Sequence, residues 1–158
     1  MTNESTNPEA NLGRLMGCAA RVMLRELDHS LAESNVGISG EQCILLKNIG
    51  WDDGIHQNEL AERILRDKAA ITRHLDVLEQ KKLVVREHNP TDRRQNLLHI
   101  TSAGRRLLQS VEPLIEVINR RATEGIEKAK LEHCKDVLEQ VFNNLAHRNC
   151  SNADRTDS

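Results

Sequence analysis

The residues best equipped for chemistry in this chain are cations, not nucleophiles. Lys68 and Arg73 stand one helical turn and a half apart within Lys68-Ala69-Ala70-Ile71-Thr72-Arg73, and Arg93 and Arg94 adjoin in a segment of turn formers and charge, His88 to Gln95. A guanidinium is a planar fork of donors that matches the guanine edge or a phosphate, and a narrow minor groove concentrates the negative potential that draws arginine in. Net charge is −2, yet Ile55 to Arg106 holds 11 Lys and Arg against 7 Asp and Glu, while the remainder holds 11 against 17. A basic centre between acidic arms is the footprint of an anion-binding face.

Other chemistries find little support. Cys18, Cys43, Cys134 and Cys150 are far apart, and the seven histidines show no ligand spacing, so neither a disulfide framework nor a metal site is expected. There is no Gly-rich phosphate loop, no Gly-x-Ser-x-Gly and no recognisable pair of catalytic carboxylates, so an enzyme is not expected and no cofactor is implied. The first residues, Met1 to Asn11, are polar and the longest apolar runs are short, which points to the cytoplasm and no membrane partner. With Trp51 and Phe142 as the sole aromatics, a core of Leu, Ile, Val, Ala and Met favours helices.

These cations need elements to position them. Leu12, Leu15, Met16, Ala19, Met23, Leu27 and Leu31 recur every three or four residues and predict a helix over Glu9 to Glu33. Ser39 caps a second over Gly40 to Ile49, and Asp52-Asp53-Gly54 reads as a turn. A short helix, Asn58 to Ile64 with Asn58 as N-cap, and a second, Lys68 to Lys81 capped by Asp67, form a helix-turn-helix whose inward residues are Ile71, Leu75 and Leu78. That leaves Lys68, Ala69, Thr72, Arg73 and Asp76 outward, with a helix N-terminus suited to phosphate. Leu83 to Arg86 and Asn96 to Ile100 predict a β-hairpin with a basic tip, and Thr101 or Ser102 caps the helix that follows. Pro113 predicts a kink or break near Glu112. Leu131, Cys134, Leu138, Val141 and Leu145 form a narrow stripe that one helix presents to another.

The order of these elements, with Gln57-Asn58-Glu59-Leu60-Ala61-Glu62-Arg63, Ala70-Ile71-Thr72-Arg73-His74-Leu75-Asp76-Val77-Leu78-Glu79, Lys82-Leu83-Val84-Val85-Arg86, Asp92-Arg93-Arg94 and Ile100-Thr101-Ser102-Ala103-Gly104, resembles the MarR family. The resemblance is strong over Ile38 to Leu108 and rests on pattern alone in the flanking helices. It implies a mainly α fold with a small β-hairpin: a winged helix-turn-helix lobe over 37–107, dimerisation helices over 9–36 and 108–147, a disordered start over 1–8 and a disordered tail over 148–158. It implies a sequence-specific regulator, a repressor, that binds a pseudo-palindromic double-stranded DNA operator as a homodimer. Lys68, Ala69, Ala70, Thr72, Arg73, Arg86, Arg93 and Arg94 would meet DNA. Relatives often carry hydroxyl residues where Ala69 and Ala70 stand, so base reading there rests on apolar contact, with a thymine methyl, and on Arg73. By the same resemblance Asp92 orients Arg94, and Arg86 suits either the DNA backbone or an ion pair with Asp92.

Apolar stripes on the terminal helices exceed what a small central lobe can cover, which places Leu12, Leu15, Leu131, Leu138, Val141 and Leu145 in a two-fold interface. The family's habit of releasing DNA on binding a small anionic or lipophilic ligand makes Arg14 and Arg21 candidate effector contacts, against a plainer role in salt bridges to the acidic helices. Two alternatives remain: a regulator of the same fold sensing oxidants through Cys18 or Cys43, and a winged-helix interaction module that does not bind DNA.

Overall fold

Periodic apolar residues and well-placed caps build most of the molecule. The computed structural model describes residues 8–64, 67–88 and 96–152. Among them lie α1 (Pro8–Glu33), α2 (Gly40–Trp51), β1 (Ile55–His56), α3 (Gln57–Arg63), α4 (Lys68–Gln80), β2 (Val84–His88), β3 (Asn96–Ile100), α5 (Ser102–Ala122) and α6 (Lys128–Asn152). The three strands form one antiparallel sheet in the order β1-β3-β2. Helices around a small sheet, with a hairpin after the second helix of a helix-turn-helix, make a winged helix, as the sequence predicts.

The chain forms two compact units, residues 1–118 and 119–158. The first has its own core, in which Leu31, Leu46, Ile49, Leu60, Ile71, Leu75, Leu78, Leu98 and Val111 are wholly buried. It draws on the C-terminal end of α1, on α2 to α4, on the sheet and on α5, where Leu107, Leu108, Leu114 and Ile115 pack against it. Burying a leucine stabilises by roughly 1.5–3 kcal/mol, and this cluster is what holds α4 in place. The second unit holds the end of α5 and α6, which leaves Ile126, Val137, Leu138, Phe142 and Leu145 exposed.

Local chemistry explains the boundaries. Ser39 closes a capping box on α2: its hydroxyl accepts from the Gln42 amide at 3.3 Å, and the Gln42 side chain accepts from the Ser39 amide at 3.0 Å. The Asp28 carboxylate reaches the Gly40 amide at 2.6 Å and ties α2 to α1. Thr101 caps α5 by accepting from the Gly104 amide at 3.0 Å. Gly104 is needed there because a Cβ would fall 2.4 Å from the Leu83 carbonyl oxygen.

The structure corrects several expectations. His56, not Asn58, is the N-cap of α3, and it makes no side-chain cap bond. A two-residue strand, β1, follows the Asp52-Asp53-Gly54 turn. The hairpin strand begins at Val84, not Leu83, and runs to His88. Pro113 does not break α5, which runs on to Ala122. Proline removes a single amide donor, and buried Val111 and Ile118 hold the turns on either side. Helix α6 extends to Asn152, past the expected limit at His147.

Candidate nucleic-acid interface

Helix α4 is amphipathic, so burial of one face dictates the other. Ile71, Leu75 and Leu78 are buried in the core, while Lys68, Ala69, Thr72 and Arg73 are exposed and Ala70 is half-buried. Among the described residues the side chains of Lys68 and Arg73 have no hydrogen-bonding or ionic partner. Asp67 caps the helix, its carboxylate accepting from the Ala70 amide at 3.0 Å. That carboxylate already occupies the helix's positive end, so the N-terminus itself is a poorer phosphate seat than the sequence suggests.

Thr72 is exposed, yet its hydroxyl is engaged twice. It donates to the Lys68 carbonyl at 2.9 Å and accepts from the Gln57 side-chain amide at 3.0 Å. The second bond bridges α3 and α4 and fixes one helix of the pair against the other. Gln57 is a site residue that the sequence reading did not single out, because the contact crosses the turn between the helices.

Arg86 is engaged by helix α4. Its Nη1 donates to Asp76 at 2.6 Å and to Glu79 at 2.9 Å, and its Nη2 donates to the Thr72 carbonyl at 3.2 Å. The side chain is only 17% exposed. Arg86 therefore ties strand β2 to α4 and is not presented to a ligand. Two carboxylates on adjoining turns of one helix, reached from the neighbouring strand, make this a charge-assisted clamp. Asp92, Arg93 and Arg94 lie outside the described residues, as does the tip of the hairpin.

A second clamp lies at the turn before β1. Asp53 accepts from the Ile100 amide at 3.0 Å and from Arg105 at 2.7 Å, and His99 lies 3.3 Å away. Asp52 accepts from Arg63 at 2.7 Å, a bond that holds the Arg63 guanidinium more firmly in its charged form. The pair that reads as a plain turn thus anchors α3, β3 and the start of α5.

Arg14 and Arg21 are exposed on α1, and their hydrogen bonds go one turn back along it. Arg14 donates to Asn11 at 3.4 Å and Arg21 to the Cys18 sulfur at 3.3 Å, so the expected salt bridges to acidic helices are not formed among the described residues. Leu12, Leu15 and Leu138 are exposed, as is Leu145, whereas Leu131 and Val141 are half-buried. Cys43 is buried, and burial pushes its thiol up, so little thiolate exists near neutral pH. That weighs against Cys43 as an oxidant sensor.

A small sheet with a helix-turn-helix packed against it, its second helix turned outward and cationic, defines a winged-helix module. The MarR family model matches residues 36–95. The HTH-type transcriptional regulator YdgJ of Bacillus subtilis (strain 168) is 32% identical over 113 residues, which is 72% of this chain and 69% of that protein. A MarR-family transcriptional regulator from Rhodococcus sp. RHA1 superposes with a TM-score of 0.77 at 25% identity, covering 87% of this chain and 96% of that one. A mutant of MarR from E. coli complexed with operator DNA gives 0.76 at 26% identity, covering 89% and 99%. The chain belongs to the MarR family and is a transcriptional regulator, not an enzyme. No helix among the described residues is long and apolar enough to cross a membrane.

Proposed function

We propose that the chain is a repressor that binds a pseudo-palindromic operator as a homodimer, with α4 of each copy in the major groove and the hairpin beside it in the minor groove. The observation that carries this reading is the division of α4. Its inner face is locked by Ile71, Leu75 and Leu78, and its outer edge offers the Lys68 and Arg73 side chains, unpaired among the described residues. The E. coli relative bound to operator DNA supports it by likeness. Arg93 and Arg94 are the hairpin cations, with Asp92 orienting Arg94. Arg86 acts by holding the hairpin to α4.

The homodimer is supported by the exposed apolar residues of α1 and α6, which a second copy would cover. A small anionic or lipophilic effector would release the DNA. A groove of about 250 Å³ between α2 and α5 suits it, with Trp51 exposed for stacking and the Lys47 ammonium 5.8 Å from that ring. Lys47 is paired with Glu112 at 3.4 Å, so an anionic ligand would compete with that carboxylate.

The test is selection of duplexes from a random pool on the purified protein, followed by titration at several salt concentrations. The expected result is a two-fold symmetric site bound at nanomolar concentration, with affinity falling steeply as salt rises. Failure to enrich any duplex would overturn the reading.

A further inference from the structure

We infer that Thr72 reads the operator through its methyl group, and that the leading edge of α4 recognises thymine by the 5-methyl of the base. This rests on the operator-binding reading proposed above and deepens it.

A threonine on a recognition surface has two things to offer, a hydroxyl and a methyl. Here the hydroxyl's proton and one of its two lone pairs are already used. Its single proton goes to the Lys68 carbonyl at 2.9 Å, and the Gln57 amide occupies a lone pair at 3.0 Å. A hydroxyl donating to the carbonyl four residues back is a known local arrangement for threonine in a helix. Turning it toward a base would break two hydrogen bonds and undo the α3–α4 bridge. The side chain is nevertheless exposed, and with no proton left to donate to a base it presents its methyl and one remaining lone pair.

The surroundings point the same way. Ala69 is exposed and sits three residues before Thr72, hence on the same face, so two methyl groups adjoin. The polar groups flanking them, Lys68 and Arg73, are donors only. Asp76, the acceptor one turn further along, has its Oδ1 paired with Arg86 at 2.6 Å. The edge therefore offers the amino group of cytosine or adenine only a carboxylate already paired with an arginine. It is built for two features of the major groove: the O6 and N7 acceptors of guanine, for Arg73, and the methyl of thymine, for Thr72 with Ala69. Thymine is the only ordinary base that carries a methyl there, so apolar contact suffices to set it apart from cytosine.

The test uses the full chain and an operator selected on it, in which each thymine is replaced in turn by deoxyuridine. That change removes the methyl and leaves pairing intact. Two variants separate the two halves of the threonine: Thr72→Val keeps a methyl and loses the hydroxyl, and Thr72→Ser does the reverse. We expect deoxyuridine at one thymine of a single half-site to weaken wild-type binding about fourfold, the worth of one buried methyl, and about fifteenfold when the same thymine is changed in both half-sites. Thr72→Ser should show the same loss on the thymine operator and no further loss on the deoxyuridine one. Thr72→Val should bind the thymine operator more tightly than Thr72→Ser and should keep its sensitivity to deoxyuridine.

A Thr72→Val variant that binds weakly beside a Thr72→Ser variant that binds normally would overturn the inference and assign the reading to the hydroxyl. Deoxyuridine sensitivity that persists in Thr72→Ser would overturn it in favour of another residue. The deoxyuridine scan on the wild-type protein needs no variant to fold. If no duplex is selected at all, the operator reading itself falls, and the two failures are thereby distinct.

Discussion

At the scale of single residues, function depends on which polar groups the fold leaves unspent. Asp76 and Glu79 are engaged by Arg86, and the Thr72 hydroxyl by Gln57, whereas among the described residues the Arg73 and Lys68 side chains are left over. Arg73→Ala should therefore weaken operator binding by about 1–3 kcal/mol while leaving the melting temperature unchanged, because the side chain is exposed and, among the described residues, unpaired. Titration of a fluorescent duplex checks the first part and calorimetry the second. Unchanged affinity would show that α4 does not lead into the groove. The position of Arg73 was legible in the sequence, since helical period alone puts it opposite Ile71 and Leu75. The fate of Arg86 was not. Its partners lie 7 and 10 residues away across a chain reversal, and no local pattern says that two α4 carboxylates will meet a β2 guanidinium. Thr72 lies between these cases: its outward direction follows from periodicity, but the engagement of its hydroxyl by Gln57 does not.

At the scale of elements, helices announce themselves through caps and stripes, and short strands do not. Ser39 and Asp67 both cap where the sequence places them. β1 is two residues long and exists because β3 offers it an edge, so Ile55 and His56 carry no strand signal of their own. The end of α4 shows how tertiary needs override a local rule. The Lys82 amide donates to the Glu79 carbonyl at 2.8 Å and the Leu83 amide to the Leu78 carbonyl at 2.9 Å, the paired bonds of a Schellman motif. That motif requires a left-handed residue, and Lys82 supplies it at φ 59° without being glycine. A side chain in that region costs about 1–2 kcal/mol, of which the greater freedom of an unfolded glycine takes back part. Lys82→Gly should thus stabilise the protein by about 0.5–1 kcal/mol, seen as a rise in thermal midpoint. A fall would mean that the Lys82 side chain makes a stabilising contact that outweighs the backbone term.

At the scale of the whole molecule, the outstanding feature is apolar surface that one copy leaves uncovered. Leu12, Leu15, Val22 and Met23 are exposed on α1, and Val137, Leu138, Phe142 and Leu145 on α6. Singly such residues are ordinary, but stripes of them along two long helices are the mark of an interface. The heptad-like spacing of Leu131, Leu138 and Leu145 made the stripe visible in the sequence. What no sequence pattern separates is a stripe buried within one chain from a stripe buried by a second copy. Leu138→Asp puts a charge near the middle of α6, where a two-fold partner would have to bury it twice, at a cost of several kcal/mol. The expected outcome is a monomer in sedimentation velocity at micromolar concentration. Its helical signal should persist, since the core of residues 1–118 contains no α6 side chain. Operator affinity should then fall about a hundredfold or more, because two half-sites can no longer be held at the high effective concentration that linkage provides. A Leu138→Asp protein that still sediments as a dimer would move the interface off this face of α6, and a monomer that binds the full operator undiminished would remove the need for two copies.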